Sequence, residues 1–136
     1  MPSVASMPAT PVAQPIRVLL VDDSKYFAQW AMQFLSLEPQ IELVGWAVSG
    51  RDALDQVARL QPRVVLMDVH LPDMTGLHAT EQIKTHPHAP VVIIVTLDDN
   101  AQYRAAAALI HADGFLAKAD IGTQLVPLIE QLCERL

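Results

Sequence analysis

The sequence has a single cysteine, Cys133, among 136 residues, so no internal disulfide can form and a stapled secreted scaffold is excluded. It lacks a basic excess: 9 Lys+Arg stand against 15 Asp+Glu, a formal net charge of −6. Non-specific nucleic-acid binding needs clustered Lys and Arg, so direct nucleic-acid contact is not expected. No apolar run reaches the roughly 18 residues of a membrane span, which argues against membrane insertion. The N-terminus lacks the charged start and long apolar stretch of a signal peptide. What is present is apolar content of 51%, enough to build a real core. Together these features predict a soluble, cytoplasmic protein with one domain.

Residues 1–15 hold four of the ten prolines and no charged residue. They lack glycine and any helical or strand period, and read as a disordered N-terminal tail. No PxxP core with flanking arginines marks them as a docking peptide. The folded unit is therefore expected over 16–136, and it holds all the charged residues.

From Ile16 two kinds of segment alternate. Apolar, β-branched runs recur at Ile16–Val21, Ile41–Val48, Arg63–Met67 and Pro90–Thr96, with a weaker one at Gly114–Ala117. Segments with helical spacing lie between them: Ser24–Leu37, Arg51–Leu60, Thr75–Thr85, Asn100–Ile110 and Ile121–Leu136. The expected first-helix stripe is Phe27, Ala31, Phe34 and Leu35. Five βα repeats with runs such as VVLM and VVIIV, apolar on both faces, predict parallel strands covered by helices on each side. Right-handed crossovers give a doubly wound, flavodoxin-like α/β sheet with strand order 2-1-3-4-5. Ser24 and Thr75 read as N-caps. Pro127 conflicts with a helix from Ile121, unless that helix starts near Thr123 or Gln124 and places the proline in its first turn.

In such folds ligands bind beyond the carboxyl ends of the strands. Asp22 and Asp23 follow strand 1, Asp68 ends strand 3, Thr96 ends strand 4 before Asp98 and Asp99, and Lys118 follows strand 5. Carboxylates crowded together raise one another's pKa. Mg²⁺ relieves that conflict, taking oxygen ligands while leaving room for phosphate oxygens. Lys118 would neutralise a phosphoryl group and Thr96 would hydrogen-bond it. A carboxylate can itself be the nucleophile, forming an aspartyl phosphate. The set specifies a metal-assisted phosphoacceptor site.

The segments LLVDDS (19–24), VVLMDVHLPDMTG (64–76), VVIIVT (91–96) and GFLAK (114–118) closely resemble the receiver domain of two-component response regulators. The resemblance covers about residues 16–136. It implies that Asp68 is the phosphoacceptor. Asp23 and Asp68 would bind Mg²⁺ directly, Asp22 indirectly, and the backbone carbonyl of His70 would add an oxygen. Thr96 and Lys118 would contact the phosphoryl group, and Phe115 would be the aromatic that changes rotamer when Thr96 moves. Pro72 and Gly76 would shape the loop after Asp68. The donor would be a sensor histidine kinase or a histidine phosphotransfer protein. The output would be a downstream protein target, reached through the face of helix 4, strand 5 and helix 5. Homodimerisation is left open. Chemistry would be confined to the protein's own acyl phosphate, so a turnover enzyme is not expected. With no room for an output domain in 136 residues, the expectation is a stand-alone receiver.

Several positions depart from the pattern. Lys118 precedes Ala119, where the family often has a Lys-Pro pair with a cis peptide; a cis non-prolyl bond costs about 2.5–4 kcal/mol. Phe115 lacks the hydroxyl of the frequent tyrosine. Leu97 stands where a small residue is usual and is expected to narrow access to Asp68. His70 and Asp98 sit where the family tunes dephosphorylation.

Other readings compete. The acidic site could stand idle in a phosphorylation-independent interaction module. Asp68-Val69-His70 is similar to the start of a cobalamin motif, but Asp73 replaces its glycine. His86 and His88 flank Pro87 without zinc-site spacing and read as loop residues, and His78 and His111 as helix-surface or helix-end residues. Tyr26 and Trp30 on the first helix read first as peripheral packing, then as a docking surface. Asp22, Asp23, Asp68, Asp73, Asp98 and Asp99 are all expected near one rim; without these six, nine acids face nine bases. The net charge is thus assigned mostly to one site.

Overall fold

The computed structural model describes residues 14–134, so the tail expectation for 1–13 and the contribution of Leu136 lie outside the described residues. Five strands and five helices alternate: β1 (Ile16–Val21), α1 (Lys25–Ser36), β2 (Ile41–Ala47), α2 (Gly50–Leu60), β3 (Val64–Asp68), α3 (Gly76–Ile83), β4 (Val91–Thr96), α4 (Ala101–Leu109), β5 (Gly114–Ala117) and α5 (Ile121–Glu134). All pairings are parallel, in the order β2-β1-β3-β4-β5. This is the flavodoxin-like α/β fold and strand order expected from the sequence.

The sheet divides the apolar side chains by strand alternation. Val18 and Leu20 of β1 face α1 and α5, packing with Ala28, Ala31, Leu35, Leu125 and Ile129. Leu19 and Val21 face the opposite side, with Ala53, Ala79, Ile83 and Ala107 of α2 to α4. Central β3 and β4 are buried along their whole length, which is why their sequences are continuous apolar runs.

Each of the first four helices starts on a polar cap. The side chains of Ser24, Ser49, Thr75 and Asn100 accept from the backbone N–H three residues on, at 3.0 to 3.2 Å for the first three and 2.8 Å for Asn100. Each such bond satisfies one orphan donor of the first turn and contributes about 1 kcal/mol.

Three local expectations are corrected. The α1 stripe is rotated: Ala28, Ala31 and Leu35 are buried, while Phe27 and Phe34 are half-buried. Small Ala28 lets the helix approach the sheet, and the larger rings lie at its flank. Helix α2 begins at Gly50 and buries polar Gln56, whose Nε2 donates to the Trp46 carbonyl at 3.0 Å. Helix α5 starts at Ile121, not at Thr123 or Gln124, because a 3₁₀ turn over Lys118–Asp120 feeds directly into it. Pro127 is therefore inside the helix. It removes the bond its N–H would give to the Thr123 carbonyl, and both residues are exposed, so water can satisfy that acceptor.

Candidate functional site

The carboxyl ends of β1, β3, β4 and β5 deliver one residue set to a single rim. Asp22 and Asp23 follow β1, Asp68 and Thr96 close β3 and β4, and Lys118 follows β5. One carboxylate oxygen from each of Asp22, Asp23 and Asp68 lies within 4.8 Å of the others. Asp22, Asp68 and Thr96 are buried, whereas Asp23 is exposed.

Lys118 is the cation facing this cluster. Its Nζ lies 2.6 Å from Asp22 Oδ2 and 3.7 Å from Asp68 Oδ1. The ammonium also sits 4.1 Å above the centroid of Phe27, so the aromatic flank of α1 forms one wall. Asp22 is held further by the Ser24 N–H, which donates to Oδ1 at 2.8 Å. Trp46 Nε1 donates to the Asp22 carbonyl at 2.7 Å and pins the start of the loop. The Lys118–Ala119 peptide is trans, so Lys118 reaches the site without the cis bond of the usual Lys-Pro pattern.

One lysine does not balance three carboxylates. The Asp68 carboxyl is pushed up from 3.8 to about 6, first by burial and then by the charge of Asp22, with Lys118 opposing. A carboxylate so raised, beside two more oxygen donors, has the chemistry of a hard-cation site, and the donors present fit Mg²⁺.

The β3–α3 loop is shaped by a close approach. A β carbon at Gly76 would fall on the backbone carbonyl of Asp68, so no other residue fits. The Gly76 N–H donates to the Val69 carbonyl at 2.8 Å, and His70 pairs with Thr75 across the loop.

Above Asp68, His70 Nε2 meets Asp98 Oδ2 at 3.1 Å, joining the β3–α3 loop to the β4–α4 loop. Tyr103 of α4 sets its ring edge-on to His70 at 5.7 Å between centroids. The Thr96 hydroxyl accepts from the Asp98 N–H at 3.1 Å. Leu97 is 78% exposed, its side chain directed to solvent. Phe115 is half-buried against the α2–α4 side, with the Arg104 guanidinium 4.6 Å from its ring centroid. Asp99 receives Arg104 Nε at 2.6 Å and Nη2 at 2.9 Å. That hydrogen bonding holds the Asp99 carboxyl below its usual range.

The six acids assigned to one rim thus divide. Asp22, Asp23 and Asp68 form the cluster; Asp98 and Asp99 pair with His70 and Arg104. Asp73 caps α2, accepting from the Gly50 and Arg51 N–H groups at 2.8 and 2.9 Å. Those two bonds lower its pKa. The His70–Asp98 and Arg104–Phe115 contacts escaped the sequence, because residues 28 and 11 apart, on two loops in the first case and on α4 and β5 in the second, carry no local period that joins them.

Comparison with known proteins places this geometry. The profile of the response regulator receiver domain matches residues 18–130. A protein-glutamate methylesterase/protein-glutamine glutaminase of Geobacillus kaustophilus is 40% identical over 104 residues, covering 76% of this chain and 30% of the relative. The response regulator protein VraR of Staphylococcus saprophyticus is 34% identical over 119 residues, covering 86% of this chain and 56% of the relative. Among solved structures, the response regulator domain of Thermotoga maritima CheB superposes with a TM-score of 0.76 at 27% identity, covering 89% of this chain and 96% of that one. A LuxR-family two-component response regulator from Aurantimonas superposes with a TM-score of 0.83 at 25% identity, covering 89% and 87%. The chain spans about a third of the length of the first methylesterase relatives.

Proposed function

The chain belongs to the response regulator receiver family, and on that premise we propose that Asp68 accepts a phosphoryl group from a phosphohistidine. The donor is a sensor histidine kinase or a histidine phosphotransfer protein, which places the exchange in the cytoplasm. The observation that carries this reading is the meeting of Asp22, Asp23 and Asp68 within 4.8 Å, with Lys118 bridging two of them.

One oxygen of ionised Asp68 attacks the phosphorus. The new O–P bond forms as the P–N bond breaks, and the imidazole leaves with that electron pair. Mg²⁺, when bound, offsets the negative charge shared by the carboxylates and the phosphoryl oxygens. Asp23 and Asp68 would hold it directly, Asp22 through water, and the His70 backbone carbonyl would complete the oxygen set. Lys118 moves its ammonium from Asp22 toward the new phosphoryl group, which carries more charge than the carboxylate it replaces.

The Thr96 hydroxyl turns from the Asp98 N–H to the phosphoryl oxygen. Phe115 follows into the space this opens, carrying with it the Arg104 contact on α4. The population of the α4–β5–α5 face shifts, and a downstream protein or a further domain reads the change. Leu97, His70 and Asp98 rim the acceptor and set how readily water reaches the acyl phosphate. The chemistry stays on the protein's own carboxyl group.

Incubation with Mg²⁺ and acetyl phosphate, followed by intact-mass measurement, tests the reading. One added phosphoryl mass on the wild type and none on Asp68→Asn is the expected result. An unlabelled wild type would leave a receiver fold that acts without phosphorylation.

A further inference from the structure

Strand β2 carries one residue more than its partner. Val18 of β1 pairs with Leu43, but the next residue, Leu19, pairs with Gly45, so Val44 is left over in a β-bulge. A one-residue slip exchanges the two faces of a strand. Ile41 and Leu43 pack on the α1 and α5 side of the sheet, and unbroken alternation would send Trp46 to the other side. Instead Trp46 packs on the α1 and α5 side, and Ala47 is buried on the opposite side with Val21 and Ala53. Gly45 permits the step: a β carbon there would meet the side-chain oxygen of Gln56, and then Leu60 and Leu19.

The re-aimed side chain ends at the acidic rim. Trp46 Nε1 donates to the Asp22 carbonyl at 2.7 Å, the short end of the range for N–H donors. The Ala47 carbonyl accepts the Asp22 N–H at 3.0 Å, so the end of β2 holds both backbone groups of Asp22. Gln56 of α2 fixes the Trp46 backbone in turn. Its Nε2 donates to the Trp46 carbonyl at 3.0 Å and reaches both carboxylate oxygens of Asp52 at 3.3 Å. The Asp22 carbonyl shares one planar peptide unit with the Asp23 N–H. Asp23 is exposed, and among the described residues its side chain makes no hydrogen bond or ion pair. The backbone therefore sets how Asp23 meets Asp22 and Asp68, and that backbone starts at the peptide Trp46 holds.

We infer that Trp46 is a positioning residue for the metal cluster. Its indole N–H orients the Asp22–Asp23 peptide so that the three carboxylates stand ready for a divalent cation. The inference rests on the Mg²⁺ role proposed for that cluster. Trp46 acts through the peptide and touches neither the cation nor the phosphoryl group. The β2 bulge is the device that brings it there, as bulges beside functional sites re-aim side chains elsewhere.

Mg²⁺ titration of the full chain, read by calorimetry and by NMR of the indole N–H groups, tests this. Three proteins are compared: the wild type, Trp46→Phe, and a chain with benzothienylalanine at position 46 alone. The last keeps the shape of the indole but has sulfur in place of its N–H, so the packing stays and the donor goes. Both altered proteins are expected to bind Mg²⁺ about tenfold more weakly, the lower end for groups that orient metal ligands. In the wild type, the indole signal that Trp46→Phe lacks is expected to shift along the same binding curve that calorimetry gives. Wild-type affinity in the benzothienylalanine protein overturns the inference, even if Trp46→Phe binds weakly, because the ring would then act by packing alone. An indole signal that stays fixed through the titration overturns it as well. A wild type that binds no Mg²⁺ overturns the metal reading and the inference together, and so is distinct from a failure of Trp46 alone.

Discussion

Lys118 Nζ lies 2.6 Å from Asp22 Oδ2 but 3.7 Å from Asp68 Oδ1, so the lysine leans toward the carboxylate that is not the proposed acceptor. The closer pair is largely shielded from solvent, with side-chain exposures of 10% for Lys118 and 1% for Asp22. The ammonium thus stands in part where a divalent cation would act. Breaking a buried pair by removing one partner typically costs about 3–5 kcal/mol. Lys118→Met is therefore expected to lower the melting temperature strongly. Millimolar Mg²⁺ should restore more stability to the variant than it adds to the wild type. Thermal melts of both proteins with and without MgCl₂ check this; equal increments would show that the lysine and the cation do not share the same charge.

The raised pKa of Asp68 has a consequence for stability against pH. Its folded-state value of about 6 lies above the ordinary 3.8, so the native protein binds more protons than the unfolded chain between those limits. Stability contributed by this group is present below the ordinary value and is lost as pH rises through about 6, by on the order of 3 kcal/mol. Asp68→Asn removes the charge. It should raise the melting temperature near pH 7.5, and the gain should fade toward pH 4. A variant less stable than wild type at neutral pH would mean that the Lys118 attraction outweighs burial and the Asp22 charge.

Gly76→Ala should be among the most damaging small substitutions. Its β carbon meets the backbone carbonyl of Asp68, which cannot rotate away as a side chain can. A loss of several kcal/mol is expected, with slower acetyl phosphate labelling in whatever folded protein remains. Chemical denaturation and intact-mass time courses measure the two effects separately.

The pair His70–Asp98 spans the mouth of the site but is exposed, at 56% and 60% of the side chains. Exposed pairs contribute little to stability, so Asp98→Ala should leave the melt almost unchanged. By opening the mouth it should shorten the lifetime of the acyl phosphate several-fold. Following loss of phosphoryl mass over time tests this; an unchanged lifetime would remove the pair from the account.

Much of the site was legible because its residues mark strand ends. Asp22, Asp68, Thr96 and Lys118 each follow an apolar run, and a parallel sheet brings such ends to one rim whatever the loops do. The strand order followed from the same repetition. Gln56 was hidden because its burial depends on a carbonyl of β2, which no helical period can announce. The start of α5 at Ile121 followed from its helical spacing, whereas the later start that would have put Pro127 in the first turn is not taken, because the 3₁₀ turn at Lys118–Asp120 leads straight into Ile121. Asp73 resembled a member of the acidic site, and only the fold showed it turned to the amides of α2.

The central claim is that the phosphoryl group resides on Asp68, and chemical trapping tests it most directly. Protein treated with Mg²⁺ and acetyl phosphate is reduced with borohydride, which converts an aspartyl phosphate to homoserine, and is then digested and sequenced by mass spectrometry. Homoserine at position 68, formed only when Mg²⁺ is present, is the predicted result. Homoserine at position 22 or 23, or phosphate retained on His70 with Asp68 unmodified, would contradict it.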